Sequence, residues 1–271
     1  MSSDDEEIVG GKASAFPEIR PIVPLQTEVS GLNLHPNLPD VLGGALICMV
    51  GKIKAGKSVL WNNMILSDDF FNDLFSTVVI ISPTIQHDET SRFAYEKYRD
   101  SCYTQYDDAI VEAVKNIQVE KLQQKDSDTS FAIVVDDMHG EFNHGSGKKG
   151  TGLSNFATRF RHYARRHKDP CALILSSQRM KDLTPAVRTC CTNMMISSGI
   201  KNQKEIETIC ELYGDAYGGK KSFLSLWDKT RNVPYSFLHL YLDRTPAEAY
   251  LNFSEKLYPL GKEASADHGN K

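Results

Sequence analysis

Six cysteines, at positions 48, 102, 171, 190, 191 and 210, contain no C-x-x-C pair, so the spacing used by zinc sites and redox dithiols is missing. Nothing marks a disulfide scaffold either, and the thiols read as reduced, mostly buried small hydrophobes. No apolar run approaches the length needed to span a bilayer. The first residues carry Asp4, Asp5, Glu6 and Glu7, where a signal peptide would carry positive charge followed by an apolar stretch. The expectation is a cytosolic or nuclear protein that is not secreted. Positive charge is not in excess: the formal net charge is −4, which excludes tight non-specific nucleic-acid binding over the whole surface and confines any such contact to a local patch. No internal repeat is visible.

What remains is the composition of an ordinary folded protein, with 41% hydrophobic and 24% charged residues in a chain of 271. That length suits one large α/β domain with tails. Residues 1–40 are punctuated by Pro17, Pro21, Pro24, Pro36 and Pro39 and read as an extended or disordered arm. Residues 41–260 carry the periodic segments, and 261–271 form a polar, mobile tail. Apolar runs at 45–50, 77–82, 131–135, 172–176 and 194–197 predict buried strands, alternating with helical stretches at 58–66, between 90 and 122, at 156–167 and at 204–213. This alternation predicts a mostly parallel sheet flanked by helices. Residues 222–227 and 235–242 read as a hairpin at the sheet edge.

Residues 51–58, GKIKAGKS, fit G-x-x-x-x-G-K-[ST] and lie between a strand and a helix, the context this phosphate-binding loop requires. Gly51 and Gly56 permit the turn that aims backbone N–H groups at phosphate oxygens, at the positive end of the following helix. The predicted nucleotide contacts are Gly51, Lys52, Ile53, Lys54, Ala55, Gly56, Lys57, Ser58 and Val59. Lys57 would bridge the β- and γ-phosphates, and Ser58 would ligate magnesium. ATP or GTP with Mg2+ is therefore implied.

The strand at 131–135 delivers Asp136 and Asp137 at its carboxyl end, where ligands collect in open α/β sheets. Asp136 would hold the magnesium, directly or through water, and Asp137 would orient and deprotonate the attacking water. Gln178, just past the strand at 172–176, is placed to hydrogen-bond that water or a phosphate oxygen. At least one strand, at 77–82, is expected to lie between the loop strand and the carboxylate strand, which matches the additional-strand group of P-loop ATPases. The chain lacks the N-K-x-D segment of GTPases, and Leu153-Ser154 is not followed by the Gly-Gly-Gln of an ABC signature. A P-loop small-molecule kinase remains the alternative, distinguished by a phosphorylated product.

The loop at 51–58, Ser82-Pro83-Thr84, the VVDD strand end, FRHYARRH at 160–167, the SSQ strand end and LTPAVR at 183–188 together resemble the genome-packaging ATPases of large double-stranded DNA viruses. These are the poxvirus-type branch of the FtsK/HerA superfamily, and the resemblance covers about residues 43–200. It implies a RecA-like, ring-forming, ATP-hydrolysing motor that translocates double-stranded DNA into a preformed capsid at the site of virus assembly in the host. Its partners would be DNA and a capsid or portal-vertex protein. It assigns Lys57, Asp136, Asp137 and Gln178 to catalysis and implies an arginine finger acting on a neighbouring subunit, for which Arg188, on a short helix that Pro185 would start, is the first candidate and Arg161 and Arg165 the others. Much of the superfamily has Glu where this chain has Asp137, and Glu141 is the local substitute as base. Lys148 and Lys149, and a basic helix with Arg159, Arg161, Arg165, Arg166 and Lys168, are the candidate DNA contacts.

Overall fold

The computed structural model describes residues 34–137 and 152–261. Nine strands form one sheet in the order β3-β2-β4-β5-β1-β6-β7-β8-β9. The parallel part comprises β1 (Ala45–Val50), β2 (Thr77–Ile81), β3 (Cys102–Tyr103), β4 (Phe131–Val135), β5 (Cys171–Ser177) and β6 (Asn193–Ser197). The antiparallel end comprises β7 (Phe237–Tyr241), β8 (Glu248–Leu251) and β9 (Glu255–Leu257). Every residue of β1, β4, β5 and β6 is buried, which is why these strands read as continuous apolar runs rather than alternating ones.

Side chains alternate between two cores. Leu46, Cys48 and Val50 of β1 face a cluster completed by α3 (Asp108–Gln123), α4 (Gly152–Ala157), α5 (Pro185–Cys190), α6 (Gln203–Tyr213) and α7 (Lys220–Arg231). Ala45, Ile47 and Met49 face the other, built with Trp61, Met64 and Ile65 of α1 (Lys57–Leu66) and Ala94 of α2 (Arg92–Lys97). The result is a three-layer α/β domain. All six cysteines are free, and burial pushes the Cys102 thiol up to about 11 and the Cys171 thiol to about 12.

Three expectations need correction. Residues 222–227 are not a strand but the middle of α7, whose buried side chains Phe223, Leu226, Trp227 and Thr230 follow helical spacing. The hairpin at this end of the sheet is instead β7 with β8. The basic helix at 156–167 is broken: α4 stops at Ala157, a short 3-10 turn spans Phe160–Tyr163, and Ala164 is extended. Phe156 stacks on Tyr163 at 5.5 Å between centroids, an aromatic contact that the turn accommodates. Third, the strand lying in space between β1 and the carboxylate strand is β5, while Thr77–Ile81 lies beyond the carboxylate strand.

The end of the proline-rich segment packs onto the antiparallel strands. Leu38 and Val41 are buried, Tyr241 Oη donates to the Leu38 carbonyl at 3.1 Å, and Arg244 donates to the Pro36 carbonyl at 2.6 Å. Residues 1–33 of the arm, Lys148 and Lys149, Glu141 and 262–271 of the tail lie outside the described residues.

Candidate active site

The loop at 51–58 leaves the carboxyl end of β1 and turns into α1. Gly51 is required by space: a Cβ there would come within 2.6 Å of the Ser197 Cβ. Gly56 is required by conformation, because it caps α1 at φ 86, in the left-handed region. The first N–H groups of α1 therefore point into the turn, as an anion site needs. Lys52, Ile53 and Lys54 are exposed, and Val59 lies 51% exposed on the first turn of α1. Lys57 Nζ folds back onto the loop and donates to the carbonyls of Gly51 at 2.9 Å and Lys52 at 3.2 Å. Burial lowers its pKa from the usual ammonium value, while the nearby charges of Asp137 and Asp136 act in the opposite direction.

β4 ends at the same level, its register set by Asp136 N donating to the Ile81 carbonyl at 2.8 Å. Asp136 is 2% exposed, and its Oδ2 accepts the Ser58 hydroxyl at 3.0 Å. Its Oδ1 is buried with no hydrogen-bond partner among the described residues. A buried carboxylate oxygen left bare is costly unless a cation or an ordered water completes it. The donor set thus fits magnesium, held by Ser58 and Asp136 with phosphate and water supplying the other oxygens. Among the described residues no three His, Cys, Asp or Glu gather to hold a metal.

Asp137 takes φ 49, a left-handed conformation that turns it out of the strand line. Its Oδ1 accepts a hydrogen bond from Gln178 Nε2 at 2.9 Å. Gln178 follows β5, which pairs with both β1 and β4, so one strand bridges the loop and the carboxylates. Four elements thereby deliver Lys57, Ser58, Asp136, Asp137 and Gln178 to one end of the sheet.

No family model matches the sequence, and no curated protein matches it. Solved structures do resemble the fold. The genome packaging NTPase B204 from Sulfolobus turreted icosahedral virus 2, in complex with sulfate, shares 19% identity over 80% of this chain and 98% of its own, with a TM-score of 0.52. The same protein in complex with ATP-gammaS shares 18% identity over 78% of this chain and 98% of its own, at 0.50. The B204 DNA-packaging ATPase from Sulfolobus turreted icosahedral virus shares 18% over 76% and 96%, also at 0.50. The fold is that of a P-loop NTPase. With β5 inserted between β1, which carries the loop, and β4, which carries the carboxylates, the sheet is of the additional-strand type.

Other predicted residues of this NTPase fold lie elsewhere. Arg188 sits in α5, which Pro185 opens as expected, but the following Cys191 and Thr192 bond to Leu46 at the start of β1, the end of the sheet opposite the loop. Arg165 is committed within its own chain: its guanidinium donates to the carbonyls of Ser127 and Gln124 just past α3 and faces Asp169 at 3.6 Å. Arg161, His162 and Arg166 line a small cavity with Gly43, again at the amino-terminal end of the strands.

Two site residues escape sequence reasoning. Asn62, buried in α1, donates to the Ser58 carbonyl at 2.8 Å and to Ser91 Oγ at 3.0 Å, and so holds the turn that carries Ser58. A polar residue beside Trp61 on an apolar helix face was the available signal. Arg179, next to Gln178, is clamped by Asp182 through bonds of 3.1 and 2.7 Å. Its sequence carries no comparable mark.

Proposed function

We propose that this chain is a magnesium-dependent ATPase motor that drives double-stranded DNA, in its most natural setting a viral genome entering a preformed capsid. The observation that carries this reading is the meeting of the loop at 51–58 with Asp136, Asp137 and Gln178 at one end of the sheet. The packaging NTPases that share the fold have been seen with ATP-gammaS and AMPPCP, which supports a nucleoside triphosphate as ligand here.

The loop amides and Lys57 bind the phosphate chain, and Lys57 exchanges its bonds to the Gly51 and Lys52 carbonyls for bonds to phosphate. Ser58 and Asp136 would hold magnesium, which would supply positive charge to offset that of the phosphate chain. Asp137 takes the proton of the attacking water, and Gln178 holds that carboxylate in the orientation the water needs. Residues 41–260 form the motor domain between an arm and a tail. Subunits assemble as a ring that places an arginine of one against the γ-phosphate of the next, and local basic residues meet the DNA backbone in spite of the net charge of −4. The motor engages a capsid or portal-vertex protein inside the infected cell, and no helix among the described residues is long and apolar enough to cross a membrane.

The test is ATP hydrolysis by the full chain with and without double-stranded DNA, together with mass measurement in the presence of nucleotide. Release of inorganic phosphate, stimulated by DNA and accompanied by a ring mass, is expected. Transfer of phosphate to a small acceptor would replace the motor with a kinase, and turnover indifferent to DNA would remove the translocation step.

A further inference from the structure

One cavity beside the loop has no part in the chemistry described above. A cleft of about 470 Å³ opens onto Ala55, Gly56 and Lys57, between α1 and the β6–β7 side of the sheet. The carboxylates stand on the other side of β1, where β5 and β4 lie. A phosphate chain in the loop with its terminal group toward Asp137 therefore runs its other end toward this cleft.

The walls are mainly apolar and aromatic. Phe253 is fixed edge-on against Phe70 at 5.6 Å and Phe237 at 5.1 Å, which makes a firm floor. Val59 and Tyr235 form the mouth, 51% and 82% exposed. Tyr235 follows Pro234 and adopts φ 55, a conformation rarely seen for a large side chain, so the chain holds an aromatic ring in solvent at the cleft's edge. Exposed apolar surface that is concave and adjoins a polar cradle is the usual form of a small-ligand site.

Several polar atoms of the lining are already engaged. Asn63 Nδ2 donates to the Val59 carbonyl at 2.8 Å, Ser197 Oγ accepts the Gly199 N–H at 3.2 Å, and Lys57 is held by the loop carbonyls. The cleft offers surfaces to pack a flat ring against and few free groups to read its edge.

We propose that this cleft holds the purine base of the nucleotide by packing it among Tyr235, Val59 and the phenylalanine floor, and that it separates adenine from guanine only weakly. The assignment rests on the reading of the loop as a nucleotide site. Discrimination by shape and stacking alone is modest, whereas strong selection needs hydrogen-bonding groups that a wrong base leaves unpaired.

Equilibrium affinities of the full chain for ADP, GDP and inorganic tripolyphosphate, in magnesium, test it. For the wild type, ADP and GDP should agree within about tenfold. Tyr235→Ala should weaken both by about tenfold, the loss expected when a base loses a stacking partner, while tripolyphosphate, which has no base, stays within about twofold. Tyr235→Phe should restore both nucleotides. Unchanged ADP affinity in Tyr235→Ala, or an equal loss for tripolyphosphate, overturns the base assignment. A preference above about a hundredfold for one base overturns the weak selectivity. If the wild type binds none of the three, the nucleotide reading itself falls; if it binds them and Tyr235 is silent, only the base assignment does.

Discussion

Gln178 donates a 2.9 Å hydrogen bond to Asp137; the two residues lie 41 apart in the chain and follow adjacent strands. The bond ties the residue proposed as base to a neutral amide that can hold its orientation without protonating it. Asp137→Asn should leave nucleotide affinity within about threefold and cut hydrolysis by about a hundredfold or more. Gln178→Ala should lower kcat by about tenfold to a hundredfold with little change in KM. Steady-state hydrolysis alongside nucleotide binding checks both. Full turnover in Asp137→Asn together with its loss in Glu141→Gln would move the base to Glu141.

The Ser58 to Asp136 contact of 3.0 Å and the bare Asp136 Oδ1 predict a shared ion. Asp136→Asn should raise the magnesium concentration needed for half-maximal turnover and lower the maximum as well. Lys57→Ala should cut turnover by at least a hundredfold, because the amide cradle alone lacks the charge that bridges the phosphates. A magnesium titration of each purified variant decides, and an unchanged midpoint in Asp136→Asn would assign the metal elsewhere.

Arg165 is expected to matter for stability rather than for DNA. Its guanidinium answers carbonyls at the end of α3, where a cation also suits the helix dipole. Arg165→Ala should cost about 2–3 kcal/mol, or roughly 4–12 °C in melting temperature for a domain of this size. Arg161→Ala and Arg166→Ala, at exposed positions, should melt within about 2 °C of the wild type. Thermal melts separate the two groups, and a melting point for Arg165→Ala equal to that of the wild type would show the cap to be idle.

His239 predicts an acid limit to stability. It lies buried in β7 with Nε2 3.0 Å from Asn193 Nδ2, and burial, aided by Arg244, pushes its pKa down to about 3. The unfolded chain, with an ordinary histidine near 6.5, then binds the extra proton over the interval between the two values. Stability must rise with pH there: the contribution is fully present above about 6.5 and is lost as pH falls toward 3. Denaturant melts from pH 7 to 4 should show this slope, and His239→Gln should flatten it. An equally steep slope in the variant would assign the acid sensitivity to other groups.

Arg188 lies at the end of its sheet opposite its own loop, and its Nε is buried without a hydrogen-bond partner among the described residues. It can act on a γ-phosphate only across a subunit boundary, an effect worth roughly a thousandfold in turnover. Inactive Arg188→Ala chains mixed with inactive Lys57→Ala chains should regain activity, because some boundaries then pair a sound loop with a sound arginine. No recovery in rings shown by mass to be mixed would leave Arg188 a role within its own subunit.

Local spacing alone determined the phosphate loop, the five buried strands, the pair of carboxylates ending β4 and the helix that Pro185 opens. Each depends on neighbours within a few residues: glycines that turn, apolar runs that bury, a proline with φ already set. Where contacts come from far along the chain, that spacing was silent or misleading. Residues 222–227 look like a strand until Phe223, Leu226 and Trp227 find a common core to face, and Arg165 looks like a surface cation until the carbonyls of Gln124 and Ser127, just past α3, meet its guanidinium. The insertion of β5 between β1 and β4 seats Gln178 on Asp137, and the meeting of Phe70, Phe237 and Phe253 builds a floor beside the loop. Strand order and side-chain convergence follow from which faces pack together over long sequence separations, and only the folded chain settles that competition.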